Sequence, residues 1–352
     1  METPCYVYDI PRLQSTLEGA QLKLKNPNSS IQYAVETNYN VEVLKKIAEL
    51  GYGANCANSE EARRALKAGF SMDKIALTSE DKNDEEIYFT IERGVKTIHC
   101  GDLDEAYTIN RIAKSIDKRI NVVLRLNLTT APNLKPEYAQ SLFSNVEFEE
   151  FSNVQSELNY LNINGIHFHV DYHSIDVDVL ESVCQYFNYA IRSYRMHFET
   201  LTYIGLGGVH GLSFQQSESI PIHEFDQYFE IIESNLKHHD VKLYFEFGEA
   251  LVNSCGRLFT KVLDVKTEKE MECAVIDAGL ISPNMSNIGR NIEFVGIAFK
   301  KSYKAYDVVN VPTEPSNQFR THALLPSLKP GDLLSINNCG ANAESLQFKF
   351  EF

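Results

Sequence analysis

Carboxylates and imidazoles stand at the ends of several β-rich runs in this chain, and chemistry would be built from them. The run His167-Phe168-His169-Val170-Asp171-Tyr172-His173 places four proton-transferring or metal-ligating side chains at every second position. A strand has a side-chain period of two, so these four share one face while the strand continues. Imidazoles and a carboxylate on one face can bind a divalent metal; they can equally be core histidines with satisfied hydrogen bonds. Glu36 follows Tyr33-Ala34-Val35, Glu246 and Glu249 stand in "EFGE", and Arg125 and Asn127 close "NVVLRLN". The glycines of Gly205-Leu206-Gly207-Gly208 would let backbone N–H groups approach an anion, although a tight turn needs glycine too.

These residues need a scaffold that brings distant strand ends together. Eight short β-rich runs alternate with helical patterns between about residues 31 and 250. Helical spacing is plain in "VEVLKKIAELG", which ends on a glycine stop. In "SEEARRALKAGF" a serine and early acids suit a helix N-terminus. Alternating βα units predict a parallel sheet, and eight of them suggest a (β/α)8 barrel. An open doubly wound sheet is the competing reading, but no GxGxxG follows the first strand. In such a barrel the strand C-termini carry the chemistry, which also brings Asn55, Asn58, Thr78 and Cys100 into question. After about residue 255 β-formers alternate with turn residues, which predicts a β domain. The expected boundaries are 12–250 for the barrel, and 1–11 with 251–352 for the β domain. Residues 129–153 are the longest irregular stretch and are expected to form a loop over the barrel mouth.

The bulk properties exclude several classes of function. The net charge is −15 and no basic block occurs, so nucleic acid and anionic membrane are poor partners. No run approaches the ~20 apolar residues of a membrane span. The seven cysteines are odd in number, form no CxxC and follow no leader sequence, so a reduced, cytoplasmic compartment is expected.

The strand-end pattern resembles the fold-type III PLP-dependent amino-acid decarboxylases, the diaminopimelate, ornithine and arginine decarboxylase family. The resemblance runs from "TPCYVYD" to the C-terminus. It is carried by "YAVETNYNVEVLKKIAELGYGANCANSEEARRALKAGF", "KIALTSEDKNDEEI", "GVKTIHCGDLDEA", "GIHFHV", "VIDAG" and "KPGDLL". It implies an alanine-racemase-like (β/α)8 barrel, a C-terminal β domain joined by the N-terminal strand, and a homodimer with active sites at the subunit interface. Residue by residue, His169 matches the histidine that stacks on the pyridine ring. Glu246 matches the glutamate that pairs with the pyridinium nitrogen. Arg125 matches the arginine of the "LR(I/V)N" strand. Gly205, Gly207 and Gly208 lie at the phosphate loop, interrupted by Leu206.

Other positions depart from the family. Glu36 stands where the Schiff-base lysine belongs, in "YAVETN" for "YAVKAN". Glu249 replaces the phosphate-facing arginine, Asp171 a glycine, Asn342 the phosphate-binding tyrosine, and Asn55 an aspartate. Glu314 aligns with the partner-subunit cysteine. A carboxylate forms no imine with an aldehyde, and Glu249 would repel a phosphate. The resemblance with its departures therefore implies that PLP is not held as a covalent aldimine. The expected function is an enzyme on a small amino-acid-derived substrate, working through a remodelled pocket of Glu36, His169, Asp171, Glu246 and Glu314. A divalent metal on His167, His169, Asp171, His173 and Glu36 would offset the clustered acids. The alternatives are a non-catalytic partner of an active paralogue, in a heterodimer, and a decarboxylase with non-covalently bound PLP.

Overall fold

The computed structural model describes residues 2–79, 82–126, 148–172, 177–209, 222–237, 240–268, 271–279, 291–296, 302–310 and 318–342. In chain order it begins with β1 (Cys5–Tyr8) and α1 (Ile10–Lys23). Seven strand–helix pairs follow: β2 (Ser29–Ala34) and α2 (Val41–Glu49), β3 (Gly53–Cys56) and α3 (Ser59–Ala68), β4 (Ile75–Leu77) and α4 (Asp84–Glu92), β5 (Thr97–Cys100) and α5 (Leu103–Ser115), β6 (Ile120–Leu126) and α6 (Phe148–Asn153), β7 (Leu161–Tyr172) and α7 (Val177–His197), β8 (Tyr203–Val209) and α8 (Ile222–Leu236). Then come β9 (Lys242–Phe247), α9 (Glu249–Val252), β10 (Gly256–Glu268), β11 (Met271–Ile276), β12 (Ile292–Phe294), β13 (Tyr303–Val309), β14 (Gln318–Pro326) and β15 (Leu333–Ile336).

Strands β2 to β9 close into a barrel in chain order, with β2 pairing β9 in parallel. The barrel lies within one compact unit, Gln14–Ser213 with Pro221–Gly248. Local chemistry fixes its helices. Asn58 caps α3 by accepting from the Glu61 N–H, one residue before the serine suggested by the sequence, and Gly69 ends the helix at φ +102°. Asn83 and Glu86 form a reciprocal capping box on α4, and Asp102 caps α5. Outward-facing strand residues meet the helices in an aromatic layer, where Phe229 packs edge-on against Phe245 at 4.8 Å.

The second unit holds Met1–Leu13 and Glu249–Phe352. Its sheet runs β12-β15-β10-β11-β13-β14, with β1 antiparallel to β10. The sheet's core includes Leu258, Val262, Ile276, Tyr306, Leu325 and Leu334. The barrel-plus-β-domain expectation thus agrees with the structure. The expected loop at 129–153 does not hold at its end, because Phe148–Asn153 is helical; Phe148 and Phe151 are buried there. Residues 127–147 lie outside the described residues. Among the described residues no helix is long and apolar enough to cross a membrane.

Candidate active site

Four barrel strands send polar side chains into one buried cluster. His99 comes from β5, His167 from β7, Tyr203 from β8 and Glu246 from β9. His167 Nε2 lies 3.1 Å from Glu246 Oε2. The rings of His99 and His167 are 4.4 Å apart between centroids, and His99 Nε2 is 3.4 Å from the Tyr203 hydroxyl. Nδ1 of both histidines and Oε1 of Glu246 are buried without a hydrogen-bond partner. Such atoms are costly to leave bare, which marks the cluster as a place prepared for another polar group.

Electrostatics keeps this cluster nearly free of positive charge. Burial, then the neighbouring His167, holds the His99 imidazole well below its ordinary pKa. Burial, then Arg125, does the same to His167. Both rings are therefore neutral near pH 7, and His167 donates to Glu246 from Nε2. Burial raises the Glu246 pKa, against the opposing pull of His99, His169, Arg125 and the Asn55 side-chain amide.

The parity of β7 places His167 and His169 on the same, inward face. Their ring centroids are 6.3 Å apart. In the parallel register His167 stands beside Gly205 and His169 beside Gly207. Gly205, Gly207 and Gly208 thus belong to β8 rather than to a turn after it. Asn55 is buried in β3 and accepts a hydrogen bond from the Thr78 hydroxyl.

Glu36 sits in the short 3-10 turn Val35–Thr37 that follows β2, and its side chain is exposed. It lies within electrostatic reach of Glu61, whose carboxyl is pushed up to about 7, first by burial. Glu249 opens α9 in the second unit and accepts from the Asn253 amide at 3.4 Å. Asn342, also in that unit, has a left-handed φ of 52°. Arg125 is half-buried on β6, paired in register with His167. Asp171 lies on β7, but its side chain is outside the described residues, as are His173 and Glu314. Of the expected metal set, His167 joins the buried cluster, whereas Glu36 stands on its exposed turn. The sequence reading missed His99; its signal was a histidine inside "TIHC", on a strand the pattern had already identified.

Residues 12–253 match the family described as "Pyridoxal-dependent decarboxylase, pyridoxal binding domain". The chain belongs to the pyridoxal-dependent decarboxylases. A diaminopimelate decarboxylase of Bacteroides thetaiotaomicron is 31% identical, over 98% of this chain and 92% of its own length. One from Helicobacter pylori is 27% identical over 99% and 88%. The crystal structure of diaminopimelate decarboxylase from Helicobacter pylori complexed with L-lysine superposes with a TM-score of 0.85 at 25% identity, covering 99% of this chain and 89% of that one. The arginine decarboxylase of Paramecium bursaria Chlorella virus, at 16% identity and a TM-score of 0.84, shares the fold over 99% of this chain and 94% of its own.

These relatives support an enzyme of decarboxylase character and correct the sequence reading in two respects. Neither the expected loss of PLP chemistry nor a metal in its place stands, because the matched family is the pyridoxal-binding domain itself. The expected PLP-independent enzyme and the non-catalytic partner also fall, since the relatives matching nearly end to end are decarboxylases. The departures leave the family's ring-side carboxylate in place: Glu246 is buried on β9 beside His167. Glu36 stands on the exposed turn after β2 and Glu249 opens α9 in the second unit, while the side chains of Asp171 and Glu314 lie outside the described residues. The cluster that the described residues assemble brings Glu246 together with His99, His167 and Tyr203.

Proposed function

We propose that this protein is a PLP-dependent amino-acid decarboxylase acting on a small diamino carboxylic acid, with diaminopimelate the first candidate. The observation that carries the reading is Glu246. It is a buried carboxylate with one oxygen held by His167 and the other without a partner, in the position the family uses for the pyridine nitrogen. The residues present fit the ring side of the cofactor. The bare Oε1 can accept an N–H, and Gly207 leaves room at the carboxylate, since a Cβ there would lie 2.5 Å from Oε2. When bound, PLP supplies an electron sink for loss of the carboxyl group as carbon dioxide. Glu246 would hold a proton on the ring nitrogen, and its raised pKa fits a group that shares one. His169, on the same inward face, would cover the ring.

In this reading Glu36 takes the position of the Schiff-base lysine. A carboxylate offers no amine, so the cofactor would be held without a covalent link to residue 36. Glu61 beside Glu36 titrates near neutrality and can exchange a proton at this end of the barrel. The homodimer implied by the resemblance and a reduced compartment are part of the same proposal; all seven cysteines are free thiols.

The test is carbon dioxide release from diaminopimelate, lysine, ornithine and arginine by the purified protein, with and without added PLP. PLP-dependent release from at least one of them supports the reading. No release from any, with folded protein, sinks it.

A further inference from the structure

Glycine at residues 205 and 207 has a consequence inside the barrel that differs from anion binding. Both are strand residues without a positive φ, so no turn explains them. A Cβ on Gly207 would lie 2.5 Å from Glu246 Oε2, 2.8 Å from His169 Nδ1 and 3.1 Å from His167 Nε2. A Cβ on Gly205 would lie 2.7 Å from His167 Cδ2 and 3.0 Å from Tyr203 Cε1. Contacts this short force something to move. His167 cannot move cheaply, because the His99 ring packs against it at 4.4 Å and its Nε2 is bonded to Glu246. Glu246 is itself buried. The half-buried His169 and the carboxylate of Glu246 would therefore be displaced together. Glycine inside a strand is otherwise unfavourable, and it commonly marks a close approach of this kind.

We infer that Gly205 and Gly207 are positioning residues for the ring side of the site: their missing side chains make the room in which His167, Glu246 and His169 hold their places. This rests on the PLP reading above, but it assigns these glycines to the ring rather than to the phosphate. The chemistry separates the two. A residue serving the phosphate matters only for a ligand that carries one, whereas a residue positioning Glu246 and His169 matters equally for the bare ring.

The experiment is equilibrium titration of wild type, Gly205→Ala and Gly207→Ala with PLP and with pyridoxal, the same ring without its phosphate. Gly207→Ala is expected to weaken both ligands by the same factor, about tenfold or more. Gly205→Ala, which acts through His167, is expected to weaken both by a smaller factor. A loss confined to PLP, or no loss, overturns the inference and leaves the decarboxylase reading standing. Failure of wild type to bind PLP at all overturns that reading and this inference with it. Partly unfolded protein lowers the titration amplitude but not the dissociation constants. Should Gly207→Ala not fold, Gly207→Ala/Glu246→Asp withdraws the carboxylate from the new methyl group. It is expected to recover the fold; a double variant still unable to fold counts against the steric account.

Discussion

His167 Nε2 and Glu246 Oε2 lie 3.1 Å apart, both side chains buried and brought together from β7 and β9. The pair settles the proton inventory at the centre of the barrel. A neutral His167 has one N–H, and Glu246 takes it at Oε2. In the proposed reading, the Glu246 oxygen left over would be the acceptor for the cofactor ring.

Replacing Glu246 by Gln keeps the shape and removes the charge. A hydrogen bond to a charged group contributes ~1.5–3 kcal/mol, so Glu246→Gln is expected to lower decarboxylation by roughly 10- to 150-fold. Steady-state carbon dioxide release on PLP-loaded protein measures it, with circular dichroism to confirm the fold. Wild-type activity against pH gives an independent check. Burial raises the Glu246 pKa, so the working carboxylate is lost at a higher pH than an ordinary one as the solution is acidified. The acid limb of the profile is expected above the ordinary carboxylate range.

Glu61 gives a stability signature of definite sign. Its carboxyl rises from an ordinary 4.5 to about 7 in the fold, so the folded state binds this proton more tightly than the unfolded chain. The benefit is full below 4.5 and is lost as pH climbs through 7, at a total on the order of 3 kcal/mol. Glu61→Gln is expected to flatten this part of the curve in denaturant titrations between pH 4.5 and 8. Glu36→Gln is expected to flatten it partly, because Glu36 is one of the groups that raise the Glu61 pKa.

Lys82 and Glu105 form a buried ion pair, with side chains 1% and 13% exposed. Lys82 also donates to the Ser79 carbonyl, and Glu105 accepts from the Gly101 N–H at 2.7 Å. Removing one partner leaves the other charge stranded. Lys82→Met is therefore expected to cost ~3–5 kcal/mol in urea unfolding. An exposed pair such as Arg111–Asp84 should cost less than about 1 kcal/mol under the same substitution.

The barrel was legible because its strands are short β-rich runs set between well-capped helices, a pattern that local chemistry writes directly into sequence. The site was legible only in part. His167, His169 and Glu246 stand at strand ends, where the barrel rule points. His99 was passed over because Cys100 was taken as the end of its strand, and strand parity turns those two neighbours to opposite faces. The glycines of β8 were read as a loop, since a sequence shows a missing side chain but not what occupies its place. Glu36, Glu249 and Glu314 were grouped by shared charge; Glu36 stands on the turn after β2, Glu249 opens α9 in the second unit, and Glu314 lies outside the described residues.

The second unit offers two glycines that call for opposite expectations. A Cβ on Gly340 would lie 1.8 Å from the Val252 carbonyl oxygen, where both partners are backbone. The same segment is tied down, with Gly340 N–H donating to the Asn253 carbonyl at 3.0 Å and Cys339 N–H to Gly256 at 2.9 Å. Backbone fixed on both sides cannot yield, so Gly340→Ala is expected to cost ~3 kcal/mol or more and to expose the Cys339 amide to hydrogen exchange. Gly331, at φ +91°, has open space around its Cβ position. Gly331→Ala meets only the conformational penalty of the left-handed region, ~1–2 kcal/mol, and leaves exchange at Cys339 unchanged. Equal costs at the two sites would show that steric approach is not what requires glycine at 340.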